Sequence, residues 1–101
     1  MLMRVTWGKI HAGKWDTYEV LWKEHAKKTA GVKGLKGRYL LRDTETTDAG
    51  YSMTIWETAG DFEHWLKTRA PEPEMEQCFV GQFVTTVCDL RAVAPASLAG
   101  G

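Results

Sequence analysis

Residues Leu2 to Ile10 alternate, with Met3, Val5 and Trp7 on one side and Arg4, Thr6 and Gly8 on the other. A period of two is that of a strand. After the corner His11-Ala12-Gly13-Lys14 the period changes. Trp15, Tyr18, Leu21, Trp22, His25 and Ala26 recur at helical spacing, and Gly31 suits a left-handed C-terminal cap. Leu35, Gly37, Tyr39 and Leu41 then alternate with Lys36, Arg38, Leu40 and Arg42. A polar loop from Asp43 to Ala49 leads into Tyr51, Met53 and Ile55, which alternate with Ser52, Thr54 and Trp56. Two such runs predict an antiparallel hairpin. Thr58-Ala59-Gly60-Asp61 has the spacing of a capping box, so a second helix starts near Ala59, with Phe62, Trp65 and Leu66 as its apolar stripe. Pro71 ends it. Pro73 suits the first position of a short further helix, acidic at its start and closed by Gly81, whose inward stripe is Met75, Cys78 and Phe79. Phe83 to Leu90, rich in β-branched residues, predicts the last strand.

The order β-α-β-β-α-β is the ferredoxin-like split βαβ arrangement, an α+β fold with a four-stranded antiparallel sheet and both helices on one face. The other face is left bare. Neither face is reliably polar: Trp56, Leu40, Val84, Cys88 and Leu90 alternate against a set that is itself mostly apolar. An uncovered apolar face is more often an interface than open surface, so a homodimer is expected.

Bulk composition narrows the classes. Thirteen basic and thirteen acidic residues among 101 give a formal net charge of zero, which removes the simplest electrostatic case for nucleic acid or an anionic membrane. The charges are unevenly placed. Lys23 to Arg42 holds seven basic residues against Glu24, whereas Asp43 to Glu76 holds nine acidic ones against Lys67 and Arg69. Lysines at a helix C-terminus simply complement its dipole, and the alternative is a basic rim that guides an anionic ligand. Two cysteines, Cys78 and Cys88, are too few for a disulfide scaffold, and no leader opens the chain, so a reduced cytoplasmic protein is expected. No apolar run approaches the ~20 residues of a membrane span. One domain over residues 1–93 and a disordered tail over 94–101 complete the expected organisation.

The succession GRYLLRD, polar loop, YSMTIWE and TAGDFEHWLK between Gly37 and Lys67, with the strand that turns at Gly13 into a helix, resembles the antibiotic biosynthesis monooxygenase family over roughly residues 2 to 90. The resemblance implies two such sheets packed face to face as a dimeric α/β barrel, with a pocket in each subunit between sheet and helices. It also implies cofactor-independent oxidation of a small aromatic or polycyclic substrate, so no cofactor and no metal are expected. A haem-degrading branch of the family uses an Asn on strand one, a Trp on helix two and a His further on. Matched on the Gly13 corner and DFEHWLK, those positions are Thr6, Trp65 and Met75 here. A Thr hydroxyl lacks the two donors of an amide, and a thioether is a softer iron ligand than imidazole, so haem degradation is not expected. A non-catalytic dimeric module for a small ligand, haem included, is the alternative.

No phosphate-cradling glycine loop, metal-ligand cluster or nucleophile elbow is present, so chemistry must come from the pocket. Trp65 can stack on a flat substrate and donate one hydrogen bond, or it can pack against Phe62 in the core. Thr6, His25 and Tyr39 are candidates for hydrogen bonding or proton transfer. His25 lies on the apolar stripe of its helix, where a histidine is more often a hydrogen-bonded core residue than a ligand. Phe62, Met75 and Phe79 are expected to supply apolar lining with Trp65. Trp7 follows Thr6 on a strand and must point to the opposite face.

Overall fold

The computed structural model describes residues 1–81 and 83–94, along which the elements run β1 (Leu2–Lys9), α1 (Trp15–Lys28), β2 (Leu35–Arg42), β3 (Ala49–Trp56), α2 (Ala59–Thr68), α3 (Pro73–Glu76) and β4 (Val84–Asp89). The tail expectation falls, apart from Ala94, outside the described residues. The four strands are antiparallel in the order β2-β3-β1-β4, which is the ferredoxin-like arrangement. β1 lies between β3 and β4, so its residues carry the register of the whole sheet. Among the described residues no helix is long and apolar enough to cross a membrane.

Helix ends follow local hydrogen bonding more than the glycines. The Thr29 N–H and hydroxyl both donate to the His25 carbonyl, at 3.1 and 2.8 Å, which closes α1 at Lys28. Gly31 is therefore not the left-handed cap that the sequence predicts; the positive φ falls at Gly34, at 83°, where the chain turns into β2. At the start of α2 the Thr58 hydroxyl accepts the Asp61 N–H at 3.1 Å, the expected cap. The chain leaves α2 at Arg69, two residues ahead of Pro71, whose ring disfavours helical geometry at Ala70. β4 is shorter than the predicted Phe83–Leu90 span by one residue at each end.

Cross-strand partners share a face, and the registers sort the side chains. Arg4, Thr54 and Arg38 form one row on the helix side, Thr6, Ser52 and Leu40 the next, and Leu2, Trp56 and Leu35 a third. Met3, Val5 and Trp7 lie on the bare side with Tyr39, Leu41, Tyr51, Met53 and Ile55. The set Trp56, Leu40, Val84, Cys88 and Leu90 thus divides between faces. Trp56 is fully buried beneath α2 and Leu40 packs under α1, whereas Val84 and Cys88 pair with Trp7 and Met3 on the bare side.

The core is in two pieces. One gathers Ile10, Trp15, Tyr18 and Cys78 with Leu40, Met75 and Phe79; the other gathers Trp56, Phe62 and Trp65 with Leu2, Val32 and Leu35. Between them the covered face of the sheet carries the polar rows of Arg4 and Thr6. Two glycines in the strands make the first piece possible. Gly8 leaves room for the Phe79 ring, and a Cβ at Gly50 would meet the Leu41 carbonyl oxygen and lie 2.8 Å from the Trp15 ring. Backbone cannot yield as a flexible side chain can, so Gly50→Ala is expected to cost about 2 kcal/mol or more, a fall of roughly 10 °C in melting temperature by differential scanning calorimetry.

Candidate functional site

The gap between the two core pieces is a cavity of about 120 Å³. Its floor is the sheet, from which Arg4, Thr6, Arg38, Ser52 and Thr54 face upward. α1 contributes Tyr18, Trp22 and His25; the end of α2 contributes Trp65 and Arg69; α3 and the turn after it contribute Met75 and Phe79. Pockets that enclose a whole drug-sized ligand run from about 300 Å³ upward, so this one encloses part of a flat molecule and leaves the rest at its mouth.

The floor hydroxyls are already ordered. Trp22 Nε1 donates to Ser52 Oγ at 2.9 Å, Trp56 Nε1 donates to Thr54 Oγ1 at 3.0 Å, and the Thr6 and Thr85 hydroxyls share a bond of 3.1 Å. Trp65 is buried and tilted against Trp56, with ring centroids 5.3 Å apart. The Arg69 and Arg4 guanidinium carbons lie 5.0 and 6.0 Å from its ring centroid, within reach of a cation–π interaction. Trp15, Trp22 and Trp56 each spend their indole N–H on an acceptor. Among the described residues the Trp65 indole N–H has no such acceptor.

One pairing in the wall has the geometry of acid–base machinery. His25 Nδ1 is 2.9 Å from Glu72 Oε1, in a part-buried contact that joins α1 to the segment between α2 and α3. With the imidazole neutral, Nδ1–H donates to the carboxylate and Nε2 is left as the acceptor, an arrangement suited to taking a proton. Burial is the main cause that lowers the affinity of Arg4 for its proton, and the charges of Arg69 and Arg38 add to it. Burial does the same to Arg38.

The cavity brings together Thr6, His25, Trp65, Met75 and Phe79 from the sequence-derived set. It does not include Tyr39 or Phe62. Tyr39 pairs with Met53 on the bare side, because it sits one residue from Arg38 and a strand cannot aim both inward. Phe62 packs on Trp56 beneath α2, at 5.7 Å between centroids, away from the opening. Trp7 lies on the bare face and Thr6 on the covered one. Sequence reasoning missed Arg4, Arg38, Arg69 and Glu72. The available signal is the polar set Arg4, Thr6, Ser52 and Thr54 sharing one face of adjacent strands, and the single helical turn that separates Trp65 from Arg69. His11 and His64 are exposed and stand outside the cavity. Among the described residues no three His, Cys, Asp or Glu side chains are grouped to hold a metal ion.

Tyr18, in the wall, has its phenol pushed from 10.0 up to about 12, chiefly by burial and then by Cys78. The folded protein therefore holds this proton more tightly than the unfolded chain. Stability is unaffected well below pH 10, falls as the pH rises through it, and has lost about 2 kcal/mol from this group by pH 12. Urea titrations of the wild type and Tyr18→Phe across that window should diverge, with the variant showing the shallower decline.

The model of the family described as antibiotic biosynthesis monooxygenase matches residues 1–78. No curated protein sequence matches the chain. Among solved structures, SnoaB, a cofactor-independent oxygenase from Streptomyces nogalater, superposes with a TM-score of 0.79 at 16% identity, over 93% of this chain and 96% of that one. A conserved protein from Methanosarcina mazei Go1 superposes with a TM-score of 0.75 at 12% identity, over 90% and 94%. A point mutant of MhuD, with two manganese protoporphyrin IX molecules bound per active site, gives 0.75 at 16%, over 95% and 100%. At these identities the structural likenesses speak for the fold, whereas the family model covers more than three quarters of the sequence. The chain belongs to the antibiotic biosynthesis monooxygenase family.

Proposed function

We propose that this protein is a homodimeric oxygenase that oxidises a small, electron-rich aromatic in the cavity beside Trp65, with the substrate itself as the reductant. The observation that carries the reading is the polar-floored gap between two aromatic core pieces, lined by both the Trp65 indole and the His25–Glu72 pair. His25 Nε2 takes a proton from an acidic C–H or O–H of the ring system. The resulting anion passes one electron to dioxygen, and the radical pair joins in a C–O bond to give a peroxide. Cleavage of the O–O bond with loss of the remaining hydrogen yields a ring carbonyl and one molecule of water, so that ArCH2 plus O2 becomes ArC=O plus H2O. Trp65 orients the ring, Thr6 offers a hydroxyl to its polar edge, and Met75 and Phe79 keep water from the intermediate.

Oxygen uptake with a hydroxylated anthrone, in the presence of a chelator and without added flavin, tests this reading. Stoichiometric formation of the quinone is expected. His25→Gln should lower kcat by about a hundredfold or more with little change in KM, as loss of a general base does. Wild-type protein that gives no rate above the spontaneous oxidation would overturn the oxygenase reading.

The second reading is a non-catalytic binding module, favoured by the fold shared with a protoporphyrin-bound protein. A porphyrin fits poorly here, since a cavity of about 120 Å³ lies well below the size that encloses such a ligand. Incubation with haem and a reductant is accordingly expected to leave the Soret band largely intact. Rapid formation of a biliverdin-like chromophore would reverse that ranking.

A further inference from the structure

Three arginines from distant parts of the chain converge on the cavity: Arg4 from β1, Arg38 from β2 and Arg69 from the end of α2. Arg4 and Arg38 flank Thr54 in one row across the sheet, each its direct cross-strand partner. None of the three takes part in an ion pair among the described residues. The Arg38 Nε and Nη2 atoms are buried and have no hydrogen-bond partner there. A guanidinium withdrawn from water and left without an acceptor is strongly unfavourable. The carboxylates that also line the cavity do not relieve it. Glu72 is engaged by His25, and Glu76 is exposed at the end of α3. Arg4 and Arg38, both half-buried, thus keep an excess of positive charge on the cavity floor, with the exposed Arg69 at its edge, in a protein whose net charge is zero.

We infer that Arg38 and Arg4 form an oxyanion subsite, which takes the carboxylate of an aromatic ligand whose ring lies against Trp65. A carboxylate is the best match because its two oxygens meet the planar fork of a guanidinium, and because the bond is charge-assisted in a site shielded from water. Arg69 and Arg4, near the Trp65 ring, add to the field that draws the anion in. The inference rests on reading the cavity as an aromatic-binding site and narrows its occupants to aromatic acids.

Isothermal titration of the full chain with 2-naphthoate and with 2-naphthamide, which has the same rings and no charge, separates the two ideas. The acid is expected to bind about tenfold or more tightly than the amide, a preference that weakens with added salt. Arg38→Gln should remove the preference and leave the affinity for the amide unchanged. It should not lower the melting temperature, because it removes an unpaired buried charge; an arginine with a merely structural role would lower it. Arg4→Gln, the second variant, should reduce the same preference for the acid over the amide. Equal affinity for acid and amide in the wild type, with Trp65→Phe weakening both, would overturn the oxyanion subsite and leave the aromatic cavity standing. Failure of either ligand to bind at millimolar concentration would overturn both.

Discussion

Trp65→Phe is expected to lower the affinity for a flat hydroxylated aromatic by about tenfold, while Trp65→Ala should remove measurable binding. The larger ring offers more stacking area and the only indole N–H in the cavity without an acceptor among the described residues, and one aromatic contact with one hydrogen bond accounts for a loss of this size. The two substitutions part company in stability. Trp65 also packs on Trp56 in the second core piece, so truncation to Ala opens a void there and should cost about 3–5 kcal/mol, whereas Phe retains most of the contact. Fluorescence titration together with urea unfolding of the three proteins would distinguish a ligand-facing indole from a purely structural one. A Trp65→Phe protein with wild-type affinity would remove Trp65 from the site.

Tyr51→Lys should convert the protein from dimer to monomer. Tyr51 lies on the bare side of β3 between Trp7 and Leu41, and all three belong to a continuous apolar surface that includes Val5, Met53 and Ile55. Tyr51 and Leu41 are 41% and 45% exposed and Val84 on the edge strand 59%, which is a large apolar area for one chain to present to water. A second copy packed face to face would bury it. An ammonium placed at the centre of that contact has no partner and costs several kcal/mol, more than a hundredfold in dissociation constant, yet it meets only solvent in the isolated subunit. Sedimentation equilibrium should report about twice 11.4 kDa for the wild type and about 11.4 kDa for the variant, with unchanged far-UV circular dichroism. A wild type that is monomeric at micromolar concentration would contradict the barrel arrangement.

Element order is legible because each run has one dominant period and the changes of period coincide with turn chemistry. The step from Thr6 to Trp7 shows how far this reaches: alternation alone puts the first on the cavity floor and the second on the opposite face, and the register agrees. The expected cap at Gly31 fails because a glycine permits a left-handed turn without requiring one, and the Thr29 side chain satisfies the helix end earlier. Tyr39 departs from expectation for a different reason. On β2 the uncharged set Gly37, Tyr39 and Leu41 faces the bare side, and the inward side is the one with Arg38, contrary to the rule that charge faces water. Arg4 hides in the same way. A buried, unpaired guanidinium has no signature in a single sequence; its meaning comes from the strand order that sets Arg4 and Arg38 on either side of Thr54. The pairing of His25 with Glu72 spans 47 positions and follows from how α1 meets the chain after α2, which no local pattern encodes.

The most direct test of the aromatic cavity is a crystal structure with a hydroxylated anthraquinone carboxylate, the oxidised counterpart of the proposed substrate class, at saturating concentration. Its ring system is expected within aromatic contact of Trp65, at a centroid distance of about 4.5–7 Å, with the carboxylate on Arg38 and the carbonyl edge toward His25. A ligand seated on the bare face of the sheet, with the space between Trp65 and His25 unchanged, would contradict it.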